Sequence, residues 1–219
     1  MVNFDYNLLI RNLPSYPGIL GRSKYFNSVV LVPFLEEKGE LFLVLEKRAQ
    51  GIKQEGEISF PGGAFDPVQD KLIRDTAIRE TQEELGIPVE KIKIDKRFHT
   101  IIHPNNTCID VFIGRLLLDS RREIILNEKE VEKIVLVPVD FFRSQKPDLY
   151  RIEMEFRSYH LNRKGKKETL FPAQKLGVPR KYWDKWGLYE HKVFVYKYKD
   201  ETIWGLTAEI IKELVELIV

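Results

Sequence analysis

Cysteine is almost absent from this chain of 219 residues, since Cys108 is the only one. A single cysteine excludes a disulfide within the chain and any metal site built on several thiolates. The four histidines are scattered without the spacing of soft-metal ligands. Cys108 lies in a strand-like run, so we predict a buried, unreactive thiol rather than a nucleophile.

Long apolar runs and an excess of charge are also missing. The longest apolar run, residues 29–35, is far too short to cross a bilayer. Residues 1–5 lack the basic-then-apolar order of a signal peptide, so we expect a cytoplasmic protein with no membrane partner. The net charge of +2 neither favours nor excludes nucleic acid. Without repeats or linker-like stretches, residues 1–219 are expected to form a single domain.

The chain does contain a glycine turn followed by a helical pattern. Residues 61–63 read Pro-Gly-Gly, and the polar residues 66–70 follow as a loop. Apolar side chains then recur at helical spacing as far as Leu85. Gly86 comes directly after the last of them, and Pro88 lies just beyond, so the helix is predicted to end at Gly86.

Three carboxylates share one face of this predicted helix. Glu80, Glu83 and Glu84 stand at positions i, i+3 and i+4. Like charges at this spacing repel one another, whereas a hard divalent cation such as Mg²⁺ would be bound by them. Arg79 precedes Glu83 by four residues and can hold its side chain. The plain alternative for three glutamates alone is a solvated acidic face.

The full pattern is more specific than the glutamates alone. It resembles the Nudix box of the Nudix hydrolase superfamily, which here comprises Gly63, Arg79, Glu80, Glu83, Glu84 and Gly86. The resemblance implies an α/β (α+β) fold, namely a Nudix-type αβα sandwich with a mixed central sheet and a loop–helix–loop metal site. It also implies catalytic roles for Arg79, Glu80, Glu83 and Glu84, and a metal site formed by Gly63 with the three glutamates.

The box departs from the common pattern in its loop. The usual acid is replaced by Gln69, and the interval from Gly63 to Arg79 is longer than in the common form. Asp66 or Asp70 can stand in for the missing acid, and the sequence leaves both open. Glu130 lies where many Nudix proteins carry an acidic residue before a strand, and a solvated surface glutamate is its simpler interpretation.

Hard oxygen ligands favour phosphate chemistry over redox or acyl-transfer chemistry. The chain carries no glycine-rich loop ending in Lys-Ser or Lys-Thr. The resemblance implies hydrolysis of a nucleoside diphosphate linked to another group, with Mg²⁺ or Mn²⁺ as cofactor and a small-molecule nucleotide as substrate.

The residues flanking the box point to one branch of the superfamily. Residues 43–49 and 56–63, together with residues 203–208, resemble the coenzyme A diphosphatases. That resemblance implies cleavage of coenzyme A or its derivatives to 3′,5′-ADP and (acyl-)phosphopantetheine. Arg48 and Lys53 could hold the 3′-phosphate, and Phe60 is assigned to substrate binding with them. Two solvated loop cations are the alternative for Arg48 and Lys53.

Other functions stay open at this stage. Another Nudix enzyme could act on ADP-ribose, a dinucleotide or capped RNA, and Gln69 leaves room for a non-catalytic nucleotide-binding module. Residues 143–185 mix basic and aromatic side chains, as RNA-binding segments do. A solvated loop with a few buried tryptophans is the simpler interpretation, so nucleic acid is not favoured as a partner. Homodimers are common in the superfamily, and no residue pattern decides whether one forms here.

Periodicity and turn residues predict most of the remaining elements. We expect helices over residues 6–13 and 208–219, the second with Thr207 as its N-cap. Residues 127–133 are helix-permissive, residues 150–156 should form a half-buried strand, and Trp204 should be a core residue. Further strands are expected at residues 27–35, 41–46, 92–102, 107–118, 134–139 and 192–199, with a hairpin turn at residues 37–40.

Overall fold

The computed structural model describes residues 6–14 and 18–218. Contacts divide the chain into two compact units whose segments alternate along the sequence. Unit 1 draws on residues 1–44 and 60–131, and unit 2 on residues 45–59 and 132–219. The single-domain organisation expected from the sequence stays a prediction.

Helices are few and strands are many in the described part of the chain. The α-helices are α1 (Tyr6–Asn12), α2 (Ile73–Leu85), α3 (Val139–Ser144) and α4 (Gly205–Val215). The strands are β1 (Phe26–Glu37), β2 (Glu40–Arg48), β3 (Ile58–Ser59), β4 (Gly62–Ala64), β5 (Ile92–His103), β6 (Thr107–Leu116), β7 (Val131–Pro138), β8 (Asp148–Arg157), β9 (Tyr159–Leu161), β10 (Lys167–Thr169), β11 (Lys185–Tyr198) and β12 (Glu201–Trp204).

Strand β1 organises the sheet of unit 1. It pairs antiparallel with the first half of β2, where Phe34 lies opposite Leu43, and antiparallel with the short β4. On its other edge β1 runs parallel to β6, with Phe26 opposite Thr107 at the start of the pairing. Strand β5 then pairs antiparallel with β6. The sheet is therefore mixed, as predicted.

The core of unit 1 lies between this sheet and α2. Val29, Leu31 and Leu35 of β1 are fully buried, and so are Ala77 and Leu85 of α2. Helix α2 contacts β1, β4, β5 and β6. Burial of several large apolar side chains, each worth about 1.5–3 kcal/mol, holds α2 against the sheet. This fixes where the carboxylates on α2 stand.

Unit 2 contains a second, antiparallel sheet in the order β12-β11-β8. Strands β9 and β10 form a separate hairpin. Helix α4 packs on β11 and β12, and its Ile210 and Ile211 are buried. Phe142 of α3 meets Tyr196 of β11 edge to face, with ring centroids 5.1 Å apart.

Several expectations are confirmed. The hairpin turn between β1 and β2 places Lys38 and Gly39 at positive φ, which is the conformation that two-residue hairpin loops need. Helix α2 ends at Gly86 as predicted. Cys108 is fully buried.

Other expectations are wrong. Residues 127–133 form no helix, since a turn leads directly into β7 at Val131. Thr207 does not cap α4, because α4 begins at Gly205 and Thr207 lies within its first turn. The Thr207 hydroxyl donates to the carbonyl of Ile58 at 3.1 Å. Trp204 is 46% exposed rather than a core residue. The strand expected at residues 150–156 exists as β8, but its apolar side chains are largely exposed.

None of the helices in the described residues is both long enough and apolar enough to cross a membrane.

Candidate functional site

The two glycines of β4 lie directly against β1 and against the Glu80 carboxylate of α2, because they carry no side chains. Val29 and Val30 of β1 lie opposite Gly63 and Gly62 of β4. A Cβ atom on Gly63 would lie 2.3 Å from Oε1 of Glu80, and one on Gly62 would lie 2.2 Å from the carbonyl oxygen of Val29. Only glycine fits at Gly62, because the clash there is with backbone, whereas a side chain at Gly63 would displace the Glu80 carboxylate. The Glu80 carboxylate therefore rests against the backbone of β4.

Arg79 is the centre of a cluster of carboxylates in unit 1. Its Nε and Nη2 donate to the two carboxylate oxygens of Asp70, both at 3.1 Å. Its Nη1 donates to Glu80 at 2.8 Å and to Glu83 at 3.2 Å. The contact with Glu83 is the one expected from the spacing of four residues. One guanidinium thus faces three carboxylates.

Of the two acids considered in place of Gln69, Asp70 is the one that contacts Arg79. Its side chain is buried, and besides the two bonds from Arg79 it accepts a hydrogen bond from the Thr76 hydroxyl at 2.8 Å. The hydrogen bonds from Arg79 lower the pKa of Asp70 despite its burial. Asp66 instead accepts hydrogen bonds from the Val68 amide and the Gln69 side chain, both at 2.8 Å, and so shapes the loop.

The Glu80 carboxyl is partly desolvated. Burial raises the pKa of Glu80, and the negative charges of Glu83 and Glu130 act in the same direction, while Arg79 opposes them. Glu130 itself is exposed in the turn before β7. A cation placed beside Glu80 would therefore stabilise its charged form more than it would for a fully solvated glutamate.

The three glutamates of α2 are held in different ways. Glu84 is buried and accepts a hydrogen bond from the amide of Gly62 at 2.9 Å. The Glu83 side chain is half exposed and turned towards Arg79. Among the described residues, no three His, Cys, Asp or Glu side chains already converge as a set of metal ligands. Arg79 links Glu80 and Glu83 in this arrangement.

Arg48 and Lys53 lie in unit 2, and Phe60 lies in unit 1. The Arg48 guanidinium is 3.8 Å from the fully buried carboxylate of Glu46 and donates to the backbone carbonyl of Lys53 at 3.0 Å. Arg48 thereby ties together the loop that contains Lys53. The Phe60 side chain is buried, whereas Lys53 is exposed.

Sequence patterns missed a second charged cluster in unit 1. Asp110 of β6 is fully buried and accepts hydrogen bonds from the side chains of Arg22, Arg97 and Thr100. Burial raises the pKa of Asp110, but these three bonds outweigh it and lower the pKa overall. The only signal in the sequence was an acid within an apolar strand.

Comparison with known proteins identifies the class. The model of the NUDIX domain family matches residues 24–155, which include β1, β4 and α2 with all the carboxylates described above. The chain belongs to the Nudix family. It is a hydrolase that acts on a diphosphate bond, and Nudix hydrolases act on small-molecule nucleotides.

Among curated proteins, the chain is 35% identical over 114 residues to a peroxisomal coenzyme A diphosphatase of Mus musculus, NUDT7. This match covers 52% of the chain and only 47% of the mouse protein, about half its length. An uncharacterized Nudix hydrolase, NudL, of Photorhabdus laumondii is 28% identical over 190 residues, covering 87% of the chain and 83% of that protein.

Among solved structures, a MutT/nudix family protein from Enterococcus faecalis matches with a TM-score of 0.46 and 14% identity, covering 98% of this chain and 70% of that one. The Nudix hydrolase RenU from M. smegmatis matches with a TM-score of 0.43 and 19% identity, covering 53% and 72%.

Proposed function

We propose that this protein is a divalent-metal-dependent diphosphatase of coenzyme A or its derivatives, releasing 3′,5′-ADP and (acyl-)phosphopantetheine. The observation that carries the proposal is the 35% identity to a coenzyme A diphosphatase. The flanking residues 43–49 and 56–63 support it because they resemble the same branch. A cytoplasmic location remains part of this proposal.

The donor set around Arg79 fits a hard divalent cation. Nudix hydrolases generally use such metals. Asp70, Glu80 and Glu83 carry three negative charges around one guanidinium, which leaves about two charges without a counterion. Glu80 is also partly desolvated, so a cation would offset the cost of its charge. The number of carboxylates and their oxygen chemistry match Mg²⁺ or Mn²⁺.

We assign Glu80 and Glu83 to metal binding, with Glu84 and Gly63 completing the site. When bound, the metal would neutralise the diphosphate and activate water for attack on phosphorus. Arg79 holds the carboxylates of Glu80 and Glu83, and Asp70 fixes the guanidinium from the opposite side. The amide of Gly62 holds Glu84 in place. These contacts orient the ligands before substrate arrives, which is the contribution a protein makes to phosphoryl transfer.

The substrate is tested by product analysis. Purified protein is incubated separately with coenzyme A, ADP-ribose, NADH and capped RNA, each with Mg²⁺ or with Mn²⁺, and products are identified by mass spectrometry. We expect 3′,5′-ADP and phosphopantetheine from coenzyme A. Efficient turnover of another compound with coenzyme A left intact would overturn the substrate assignment. The classification of the protein as a Nudix hydrolase would be unaffected.

A further inference from the structure

The outer edge of β8 is open. One edge of β8 pairs with β11, and no strand in the described residues pairs with the other. The strand is ten residues long and contains neither proline nor glycine. An edge of this kind presents unpaired backbone N–H and C=O groups and is a template for pairing with another strand.

One face of β8 is apolar and exposed. Tyr150, Ile152 and Phe156 are each more than half exposed, at 57%, 51% and 56%. The apolar surface continues onto β11, where Trp186 stacks on Phe156 with ring centroids 6.0 Å apart. An isolated strand facing water would carry polar side chains here, so this face has the character of an interface.

The opposite face of β8 carries an uncompensated charge. Glu153 lies directly opposite Glu190 of β11, and like charges so placed destabilise a sheet. Arg151 forms an ion pair with Glu190 at 3.4 Å. Within the described residues, no ion pair is made by Glu153. A cation supplied by another chain would relieve this repulsion.

We propose that β8 pairs antiparallel with β8 of a second copy of this chain, about a twofold axis at Ile152. In this register Arg151 lies opposite the partner's Glu153, and by symmetry Glu153 lies opposite the partner's Arg151. On the other face, Tyr150 lies opposite the partner's Met154. The partner's Arg151 is thus the cation that Glu153 lacks, and the partner's apolar side chains lie beside those of β8. Both copies use the same surface, as an isologous interface requires.

The charges select this register over its neighbours. Antiparallel pairing must keep the apolar faces together, so the register can shift only in steps that preserve the alternation. One such step places Arg151 opposite the partner's Arg151. The step in the other direction places Glu153 opposite the partner's Glu153. Of these three registers, only the one centred on Ile152 pairs opposite charges on both sides of the axis without setting like charges against each other.

Disulfide trapping tests the axis. In the variant Ile152→Cys, the new thiol would face its own copy, and directly opposite residues of antiparallel strands have Cα atoms about 4.5–5.5 Å apart, which suits a disulfide. Cys108 is buried, so it does not compete. With diamide as oxidant, we expect nearly complete covalent dimer for Ile152→Cys. In the control Phe156→Cys, the new thiol lies on the same face of β8 but far from the equivalent thiol of the second copy. This variant should stay monomeric on a non-reducing gel. Equal trapping of both variants, or trapping of neither, would overturn the proposal.

Charge exchange tests the pairing, with sedimentation equilibrium as the measurement. We expect wild-type protein to have twice the 25.8 kDa of one chain at micromolar concentration. Arg151→Glu and Glu153→Arg should each weaken association about tenfold or more, because two attractive pairs become repulsive. The double variant should restore wild-type association. Within one chain, Glu153→Arg sets an arginine opposite Glu190 of β11, which should stabilise the sheet. Weaker association of this variant would therefore not reflect a damaged fold.

Arg143→Glu on α3 is the matched control, since it reverses an exposed charge elsewhere in unit 2 and should leave the mass unchanged. A monomeric wild-type protein at 100 µM, or a double variant no better than the single ones, would overturn the proposal.

Discussion

At the scale of single residues, the charges around Arg79 decide what the site can bind. Asp70 takes two hydrogen bonds from the guanidinium, which leaves Glu80 and Glu83 sharing the remaining nitrogen. Glu83 is the more exposed of these two glutamates. The arrangement suggests separate tasks, with Asp70 positioning Arg79 and the glutamates available to a cation.

Glu83→Gln should lower kcat by about 100-fold with little change in the free energy of unfolding, because the shape is kept and the charged oxygen is lost. Isothermal titration with Mn²⁺ should show weaker binding in the variant. Glu213→Gln, an exposed glutamate of α4, serves as the control and should retain wild-type activity and Mn²⁺ affinity. Wild-type kcat in Glu83→Gln would refute the metal assignment.

Asp70→Asn should destabilise the protein by about 2–3 kcal/mol in urea unfolding, because Arg79 loses the buried carboxylate that holds it. Its kcat should fall as well, since Glu80 and Glu83 are positioned through Arg79. Asp66→Asn should cost less than about 1 kcal/mol, because Asp66 only caps exposed loop groups. If Asp66→Asn lost more activity than Asp70→Asn, Asp66 would be the replacement for the usual box acid.

Arg48→Ala distinguishes two roles for this cation. If Arg48 contacts the 3′-phosphate, the variant should raise the KM for coenzyme A about tenfold or more while changing the KM for dephospho-coenzyme A little. Its bond to the Lys53 carbonyl also supports the loop. Equal increases for both substrates would assign Arg48 to holding the loop and would remove it from phosphate recognition.

Asp110 should make stability depend on pH in acid. Its folded pKa is lowered below the ordinary value of 3.8, so its contribution is complete above that value and is lost as pH falls through the lower folded pKa. In Asp110→Asn this contribution is absent at every pH. The difference in unfolding free energy between wild type and variant should therefore shrink from pH 5 towards pH 2. A constant difference across that range would contradict the assignment.

At the scale of elements, the sequence correctly predicted those helix ends and turns that depend on neighbouring residues. The β1–β2 hairpin and the end of α2 at Gly86 depend on residues within a few positions of each other. The start of α4 was predicted too late because Thr207 has the chemistry of an N-cap, whereas the helix already begins at Gly205. The bond from Thr207 to Ile58, which is distant in sequence, was not predictable from a local pattern. The helix expected over residues 127–133 is absent, and the segment that leads into it bonds to distant residues instead. The amides of Ile125 and Asn127 donate to the carbonyls of Leu85 and Glu84.

Gly86 should tolerate substitution less well than Gly39, although both have positive φ. A Cβ atom on Gly86 would lie 2.1 Å from the carbonyl oxygen of Ile125, and its φ is +62°. Gly39 in the β1–β2 turn also has positive φ, at +79°, but open space around it. Gly39→Ala should cost about 1 kcal/mol and Gly86→Ala at least 2 kcal/mol more in urea unfolding. Similar costs for both would mean that the Ile125 contact is easily relieved.

At the scale of the whole molecule, sequence reasoning identified the family and the carboxylate helix but not the long-range partners. The box is a contiguous motif, so its residues could be read directly. The parallel pairing of β1 with β6 and the contact of Arg22 with Asp110 join distant positions that no local pattern connects. The contact of Asp70, rather than Asp66, with Arg79 was likewise not predictable, because it depends on how the loop folds back onto Arg79.

The alternation of the two units along the chain has a consequence for synthesis. Because the chain passes between the units after residues 44, 59 and 131, neither unit is a continuous segment. The hairpin of β1 and β2 leaves the ribosome early, whereas β6, which lies beside β1 in the finished sheet, is made much later. We expect the apolar strand β1 to stay unpaired on this edge until β6 has been synthesised. We also expect chaperones to bind β1 during that interval.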